Sequence, residues 1–144
     1  MDAEKYVIGL DFGTDSVRAL LVATQSGAEI ACAVSLYQRW ARGEYCIAQQ
    51  SQFRQHPLDY IEAMQDAIKA LLAQIDKSLV NKIIAITIDT TGSTPCAVDE
   101  TGTPLALLPD FATDPDAMFI LWKDHTALKE ADEINALAKH RSEE

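Results

Sequence analysis

Basic residues are scarce in this sequence, and their scarcity limits the kinds of partner that the chain can bind. Its 144 residues include 12 Lys and Arg against 22 Asp and Glu, which gives a formal net charge of -10 at pH 7. Such a charge repels nucleic-acid phosphates and anionic lipid headgroups at long range. We therefore expect no nucleic-acid partner and no role at a membrane surface.

Long apolar runs and paired cysteines are lacking as well. No run approaches the ~20 apolar residues of a membrane-spanning helix, and no charged leader with an apolar core opens the sequence. The three cysteines, Cys32, Cys46 and Cys96, lie far apart without the CxxC spacing of zinc and redox sites. We expect a cytoplasmic protein of about one domain whose cysteines are small buried or half-buried thiols.

The first half of the sequence contains three strand patterns followed by a helix pattern. Residues 6–11, 17–24 and 29–37 are rich in Val, Ile and Leu and are separated by breaks at Gly13 and Gly27, which predicts three antiparallel strands. Residues 39–56 are too irregular for an element of their own and are interpreted as an ordered surface excursion. Residues 57–76 are predicted to form a helix that begins at Pro57. Its predicted apolar face consists of Ile61, Met64, Ile68, Leu71, Leu72 and Ile75.

The second half begins with a near-continuous apolar run at residues 83–88, typical of a strand that is covered on both faces. Residues 96–98 and 104–108 flank a predicted hairpin turn at residues 99–102. The last segment begins apolar and becomes helical, with Asp124 or Thr126 as amino cap. This order predicts an α/β mixed sheet flanked by helices, in which the 83–88 strand lies parallel to the first strand. Asp11 and Asp89 then end neighbouring strands, and the two polar loops share one crevice.

The stretch "IGLDFGTDSVRALLV" (residues 8–22) joins two strand patterns through a polar turn. One interpretation is turn chemistry alone, with Asp11, Gly13 and Asp15 supplying the backbone angles. The other is a phosphate site. There, Gly13 lets the backbone approach a ligand, Thr14 and Ser16 contact phosphate oxygens, and Asp11 holds the Mg²⁺ that accompanies a nucleotide.

Three motifs together resemble one family. "IGLDFGTDSVRALLV", "DTTGSTP" (residues 89–95) and "LWKDHTA" (residues 121–127), with "AMF" between the last two, are similar to the FGGY carbohydrate kinases. These belong to the sugar-kinase, actin and heat-shock ATPase superfamily, whose fold is ribonuclease H-like. The resemblance runs from about residue 6 to the last helix and implies a ribonuclease H-like (actin-like ATPase) sheet whose first domain is incomplete here.

The resemblance implies a nucleotide site in the first motif. Asp11, Gly13 and Thr14 are expected to face the phosphates of ATP and its Mg²⁺, with Ser16 and Arg18 supporting the loop. For Arg18 the alternative is an exposed strand residue with a solvated head group.

The other two motifs imply a sugar site. Thr91, Gly92, Ser93 and Thr94 are expected to lie against the sugar, unless they form only a polar connection. Trp122 offers an apolar wall, and Lys123 and Asp124 make polar contacts or orient that wall. The alternatives are a core role for Trp122 and a cap role for Asp124. The wider family commonly has Trp-x-Asp-x-Arg here, whereas this sequence has Thr126 at the Arg position; His125 is expected to be exposed at the helix start.

The implied reaction is transfer of the ATP γ-phosphoryl group to the 5-hydroxyl of a ketopentose, L-ribulose, as in L-arabinose catabolism. Such transfer depends on in-line positioning and on an aspartate that accepts the hydroxyl proton. In this family that general base and most of the adenosine pocket are expected beyond Glu144, the latter in a second domain. We therefore expect residues 1–144 to be the amino-terminal portion of the first, sugar-binding domain, which is inactive alone and associates with itself as a dimer or aggregate. The alternative is a non-catalytic sugar- or phosphate-binding module, or an inert remnant.

Overall fold

The computed structural model describes residues 3–141, which form one main sheet, one small sheet and four α-helices. The strands are β1 (Tyr6–Phe12), β2 (Ser16–Ala23), β3 (Glu29–Leu36), β4 (Cys46–Ile47), β5 (Gln52–Gln55), β6 (Ile83–Thr90) and β7 (Phe119–Ile120). The helices are α1 (Gln38–Ala41), α2 (Pro57–Leu72), α3 (Lys77–Val80) and α4 (Leu128–Arg141). Short 3₁₀ turns lie at Ala48–Gln50, Leu105–Leu107, Pro109–Phe111 and Pro115–Ala117.

The main sheet has the predicted mixed topology. Its strand order is β3-β2-β1-β6, with β1 antiparallel to β2, β2 antiparallel to β3, and β6 parallel to β1. Gly27 adopts a φ of 70° in the tight connection from β2 to β3, a value that a residue with a side chain rarely takes. In this register Asp11 lies opposite Arg18 on one side and opposite Asp89 on the other. The predicted placement of both aspartates at neighbouring strand ends is therefore confirmed.

Helix α2 builds the core by packing against β2 and β3. It begins at Pro57, and the His56 side chain caps it by accepting a hydrogen bond from the Leu58 amide at 3.1 Å. Its buried positions are centred on Ala63, Ala67 and Leu71. The buried face of the helix is therefore rotated relative to the predicted face. Ile61 is exposed at the margin of the buried face, and the partly buried residues against the core are Met64, Ile68, Leu72 and Ile75.

The end of this helix also differs from the prediction, because α2 stops at Leu72 rather than at residue 76. The chain then turns, and Asp76 caps the short α3 by accepting a hydrogen bond from the Ser78 amide at 2.7 Å. An aspartate at a helix start competes with continuation of the preceding helix, since its carboxylate satisfies an amide that a new helix leaves free.

The excursion at residues 39–56 is more regular than its sequence suggests. It contributes β4 and β5 to a small antiparallel sheet of order β4-β5-β7, in which Gln55 lies opposite Phe119. The interpretation that this segment has no element of its own is wrong. Its strands are only two and four residues long, and the longer one is largely polar, so that they carry no alternating apolar pattern.

The prediction that strand β6 is covered on both faces is also wrong for the described residues. Its edge position leaves Ile84, Ile86 and Ile88 at 59%, 56% and 62% exposure. These three isoleucines, which we call the β6 strip, share a sheet face with buried residues of β1, but α2 lies over β2 and β3 instead. An apolar run shows that the side chains of a strand are suited to burial. Whether they are buried depends on another element that packs over the strand.

The predictions for the hairpin, the last helix and the cysteines agree with the structure only in part. The hairpin at residues 99–102 is confirmed by a β-bridge between Val98 and Pro104, although a 3₁₀ turn follows instead of a strand. Helix α4 is confirmed, but its apolar side chains are exposed, including Ile134 at 65% and Leu137 at 70%. Cys46 and Cys96 are half-buried thiols as expected, whereas Cys32 is exposed. Among residues 3–141, no helix has the length and apolar composition needed to cross a bilayer.

Candidate functional site

The turn between β1 and β2, residues 13–15, is the centre of the candidate nucleotide site. The Gly13 amide donates a hydrogen bond to the Ser16 carbonyl at 2.9 Å and closes the turn. Gly13 has no positive φ, and a β-carbon added there would meet the Ser16 carbonyl oxygen at an ordinary 3.5 Å. Turn conformation alone therefore does not require glycine at this position.

Polar side chains from the 38–60 region hold this turn in place. The Gln55 amide donates to the Thr14 carbonyl at 2.7 Å, and the Trp40 indole donates to the Asp15 carboxylate at 2.5 Å. Buried Asp59 in turn accepts hydrogen bonds from the Arg39 and Trp40 amides at 3.1 and 3.0 Å. The sequence analysis missed Trp40 and Gln55 as supports of the turn, because both lie in the segment that was interpreted as an irregular excursion.

Asp11 lies on the face of the sheet opposite α2, together with its neighbours Arg18 and Asp89. With Gly9, Leu10, Leu20 and Thr87 they line a cavity of about 240 Å³. Asp11 is exposed, so its carboxylate is accessible to a ligand. No group of three or more His, Cys, Asp or Glu side chains in residues 3–141 is placed to hold a metal ion by itself. Asp11 still fits Mg²⁺, since this ion commonly binds through one or two carboxylates and keeps water and phosphate ligands.

The loop at residues 91–94 borders a different cavity. Thr91 and Thr94 line a volume of about 300 Å³ whose other lining residues are Phe12, Tyr60, Ile88, Thr90 and Phe119. Because side chains alternate along a strand, Phe12 and Thr90 lie on the α2 side, whereas Asp11 and Asp89 lie on the opposite side. The prediction of one crevice shared by both polar loops is therefore corrected to two cavities, one on each face of the sheet end.

One hydrogen bond of that loop is local, and another ties the loop to the end of β1. Thr94 donates through its hydroxyl to the Gly92 carbonyl at 3.2 Å, and the Thr91 amide donates to the Phe12 carbonyl at 3.2 Å. A β-carbon at Gly92 would have no atom within 4 Å, and Gly92 has no positive φ. Ser93 does adopt a positive φ, of 53°. The loop follows directly from the carboxyl end of β6 and leaves Gly92 and Ser93 exposed.

Trp122 connects the third motif with the first. Its side chain is 56% exposed, and its indole N–H points to the Thr14 hydroxyl at 3.4 Å. The alternative in which Trp122 belongs to the core is wrong for the described chain. Lys123 places its Nζ 4.7 Å from the ring centroids of both Trp40 and Phe53, so its ammonium group is engaged by aromatic faces.

Asp124 is held by protein donors on both carboxylate oxygens. Its Oδ2 accepts hydrogen bonds from Arg54 Nε and the Phe53 amide, each at 2.8 Å. Its Oδ1 accepts from the Thr126 amide at 3.0 Å and from the Thr126 hydroxyl at 2.7 Å. Burial by itself raises the pKa of Asp124, but these hydrogen bonds lower it well below its ordinary value. This arrangement favours the orienting role that was one of the expectations for Asp124.

Arg54 is a residue of this region that the sequence analysis did not identify. It is 4% exposed, and besides Asp124 it contacts Asp116 at 2.9 Å and the Thr126 hydroxyl at 3.0 Å. A buried guanidinium needs such partners, because an unpaired buried charge is costly. His125, expected to be exposed, is exposed, and its amide donates to the Ser51 carbonyl at 2.9 Å.

Comparison with known proteins shows that this chain is similar to ribulokinases. The chain is 54% identical over 135 residues to a ribulokinase of Vibrio parahaemolyticus, covering 94% of this chain and 24% of that protein. It is 35% identical over 144 residues to a ribulokinase of Halalkalibacterium halodurans, covering 96% of this chain and 25% of that protein. The chain thus spans about a quarter of the length of the curated relatives that it matches. No protein-family model matches it.

A solved structure supports the fold. A xyloylose kinase from Brucella ovis superposes with a TM-score of 0.68 at 23% identity, over 94% of this chain and 24% of that one. At this identity the similarity concerns the fold alone. The mixed sheet is therefore that of the actin-like ATPase fold, as predicted.

Proposed function

This chain belongs to the ribulokinase family of FGGY sugar kinases, and from that premise we propose that it forms the amino-terminal part of the sugar-binding domain of an ATP-dependent kinase. The proposed substrate is L-ribulose, phosphorylated at its 5-hydroxyl, in L-arabinose catabolism. The residues that complete the first domain, the second domain and the general base belong to the remainder of the enzyme.

One observation carries this proposal more than any other: the contact between Trp122 and Thr14. The indole N–H lies 3.4 Å from the Thr14 hydroxyl, although the two residues are 108 positions apart in the sequence. It brings the motif proposed for the sugar against the turn proposed for the phosphates. Phosphoryl transfer needs this proximity, because most of its catalysis comes from positioning and charge stabilisation.

The nucleotide side of the proposed site is built on the turn after β1. Thr14 and Ser16 contact phosphate oxygens through their hydroxyls, and Gly13 allows the phosphates to approach the backbone. Asp11 holds Mg²⁺ directly or through water, and Arg18 lies opposite it in the antiparallel register. When bound, the ion neutralises charge on the transferring phosphoryl group.

The sugar side of the proposed site is built on the two later motifs. Thr91, Ser93 and Thr94 offer hydroxyls to those of the ketopentose, and Gly92 allows the sugar to approach the backbone. Trp122 supplies an exposed aromatic wall. Lys123 and Asp124 orient this wall. The Lys123 ammonium group contacts two aromatic rings. Both carboxylate oxygens of Asp124 accept hydrogen bonds from other residues of the chain.

The proposal is tested by measuring ADP release with L-ribulose, using a complete kinase that carries this chain at its amino terminus and the 144-residue chain alone. We expect the complete enzyme to turn over at roughly 1 to 100 per second. We expect no useful turnover from the chain alone, because loss of a general base typically removes a factor of about 10² to 10⁴ even before positioning is lost.

Glycerol and D-xylulose serve as control substrates for the complete enzyme. Preference for either control over L-ribulose contradicts the proposed substrate. Ribulose-dependent ADP release by the chain alone at an ordinary kinase rate contradicts the proposed division of the enzyme. Binding of L-ribulose by the chain, with no turnover in the complete protein, favours the alternative of a non-catalytic sugar-binding module.

A further inference from the structure

The support of the turn at residues 13–15 includes one buried side chain that connects it to helix α2. We propose that Gln55 is a positioning residue that fixes the Thr14 backbone at the nucleotide site. Its effect on catalysis rests on the proposed function, whereas its effect on the turn does not.

Gln55 lies at the end of β5 and is 1% exposed. Its Nε2 donates to the Thr14 carbonyl at 2.7 Å, and its Oε1 accepts from the Tyr60 hydroxyl at 2.6 Å. Both ends of the amide are therefore engaged by short hydrogen bonds. A buried amide that lost one of them would leave a polar group unsatisfied, at a cost greater than that of the bond itself.

The direction of this chain of hydrogen bonds is fixed by its two ends. The Thr14 carbonyl can only accept, so it must face the NH₂ group of Gln55. The carbonyl oxygen of Gln55 then faces Tyr60, which must donate. Burial, and to a smaller extent Asp59 and Cys96, raises the pKa of Tyr60 to about 12, so its hydroxyl keeps the proton at neutral pH. The amide of Gln55, with one donating and one accepting end, matches both partners at this position.

At the far end of this series of hydrogen bonds, Tyr60 contacts three aromatic rings. Its ring centroid lies 4.8 Å from that of Tyr37, 5.9 Å from that of Phe12 and 4.5 Å from that of Phe119. Tyr37 is fully buried. Helix α2 thus holds Tyr60, Tyr60 holds Gln55, and Gln55 holds Thr14.

This connection matters for the site because Thr14 also contacts Trp122 through its side chain. The same residue therefore has its carbonyl fixed by Gln55 and its hydroxyl near the aromatic wall. A shift of the Thr14 backbone changes both the proposed phosphate contact and the distance to that wall. Misplacement by about 1 Å in such a site can cost up to ~10²-fold in rate.

The experiment compares Gln55→Met with Gln52→Met in the complete kinase. Methionine has a similar length and removes both hydrogen bonds of Gln55. Gln52 lies on the same strand, but its amide donates to the Tyr45 carbonyl at 3.4 Å instead of to the turn. Hydrogen exchange of a peptide spanning residues 12–17 reports on the turn, and steady-state kinetics with MgATP and L-ribulose report on the site.

For Gln55→Met we expect exchange in this peptide to become at least ~10-fold faster. We expect kcat/KM for MgATP to fall by about 10- to 100-fold, with the KM for L-ribulose within about twofold of the parent value. Gln52→Met should leave both measurements unchanged. Tyr60→Phe, which removes only the far hydrogen bond, should have an intermediate effect and is the second variant if Gln55→Met does not fold.

Unchanged exchange at residues 12–17 in a folded Gln55→Met or Tyr60→Phe variant overturns the inference. A lower melting temperature with unchanged kinetic constants also overturns it, because that result describes a purely structural residue. Faster exchange in an enzyme whose parent form does not phosphorylate L-ribulose refutes the proposed function and leaves the positioning of the turn by Gln55 intact.

Discussion

Strands β1 and β6 are adjacent in the sheet, run in the same direction and both lead into an aspartate, yet their surroundings differ. Ile8 and Leu10 of β1 are each 3% exposed, whereas Ile86 and Ile88 of β6 are 56% and 62% exposed. The chemical pattern of the two strands is the same. Their positions in the sheet differ: β1 lies between two strands, whereas β6 is an edge strand, and α2 packs mainly against β2 and β3.

The loops that follow the two strands differ in a parallel way. The turn after β1 is fixed by Gln55 and Trp40, which reach it from distant parts of the sequence. The loop after β6 is held mainly by hydrogen bonds within itself, such as that from Thr94 to Gly92. We infer that the proposed phosphate turn is already ordered in this chain, whereas the proposed sugar loop depends more on the rest of the enzyme.

The largest effect is expected from truncating the two strands at matched positions, Leu10→Ala and Ile88→Ala, in the 144-residue chain. Leu10 and Ile88 are register partners. Leu10→Ala should lower the free energy of unfolding by about 2–5 kcal/mol, because it leaves a cavity in a packed core. Ile88→Ala should lower it by less than ~1 kcal/mol, because little apolar area leaves the solvent when this side chain folds. Urea unfolding monitored by circular dichroism gives both values.

Repeating Ile88→Ala in the complete kinase sharpens the comparison. If the remainder of the enzyme covers the β6 strip, the cost there rises toward that of Leu10→Ala. Equal and large costs for both variants in the 144-residue chain would contradict the difference in burial between β1 and β6.

The fold of this chain could be predicted from sequence wherever the signal was local. The hairpins of β1, β2 and β3, the start of α2 at Pro57 and the parallel placement of β6 all follow from periodicity, turn residues and element order. The exposure of the β6 strip could not be predicted, because an apolar run does not say which element, if any, lies over it. The extent of β4 and β5 could not be predicted either, because strands of two and four residues are too short for a pattern of their own and form through their partners.

The residues of the candidate site also differ in whether the sequence could identify them. The motif residues that contact each other, such as Thr14 and Trp122, were identified from a family resemblance. Arg54 and Gln55 were missed, because a buried polar residue in an irregular segment looks like a solvated one until its partners are known. A basic residue and an amide just before a predicted helix gave no pattern that pointed to Asp124 or Thr14.

A smaller effect is expected from neutralising the two aspartates that β1 and β6 bring into register. In a complete kinase, Asp11→Asn should lower turnover by at least ~10²-fold, comparable to the loss of one preorganised electrostatic group, with thermal stability nearly unchanged. Asp89→Asn is the matched control, since the Asp89 carboxylate accepts a local hydrogen bond from the Thr90 amide at 2.9 Å and has no proposed metal role. We expect its effect on turnover to be much smaller.

The readouts are turnover with L-ribulose, the melting temperature, and sugar binding without nucleotide. Sugar binding should survive Asp11→Asn, because the proposed sugar loop lies on the other face of the sheet end. Near-normal turnover in this variant would favour the alternative in which Asp11 serves only the conformation of the β1–β2 turn. Parallel losses of stability and turnover would make Asp11 a structural residue.

The smallest effect concerns association of the 144-residue chain through the β6 strip. An exposed apolar strip on an edge strand favours pairing with another copy, whereas the net charge of -10 opposes it. We expect weak self-association that strengthens with salt, as screening reduces the repulsion. Ile86→Lys should weaken it by about tenfold, measured by sedimentation velocity over a concentration series, since the change places a charge where apolar contact forms. Val98→Lys is the control, because Val98 is 52% exposed and lies outside the strip. A compact monomer at all concentrations, without binding of an apolar dye, would contradict self-association through the exposed β6 strip. Equal weakening of association by both variants would show that the copies contact each other at another surface.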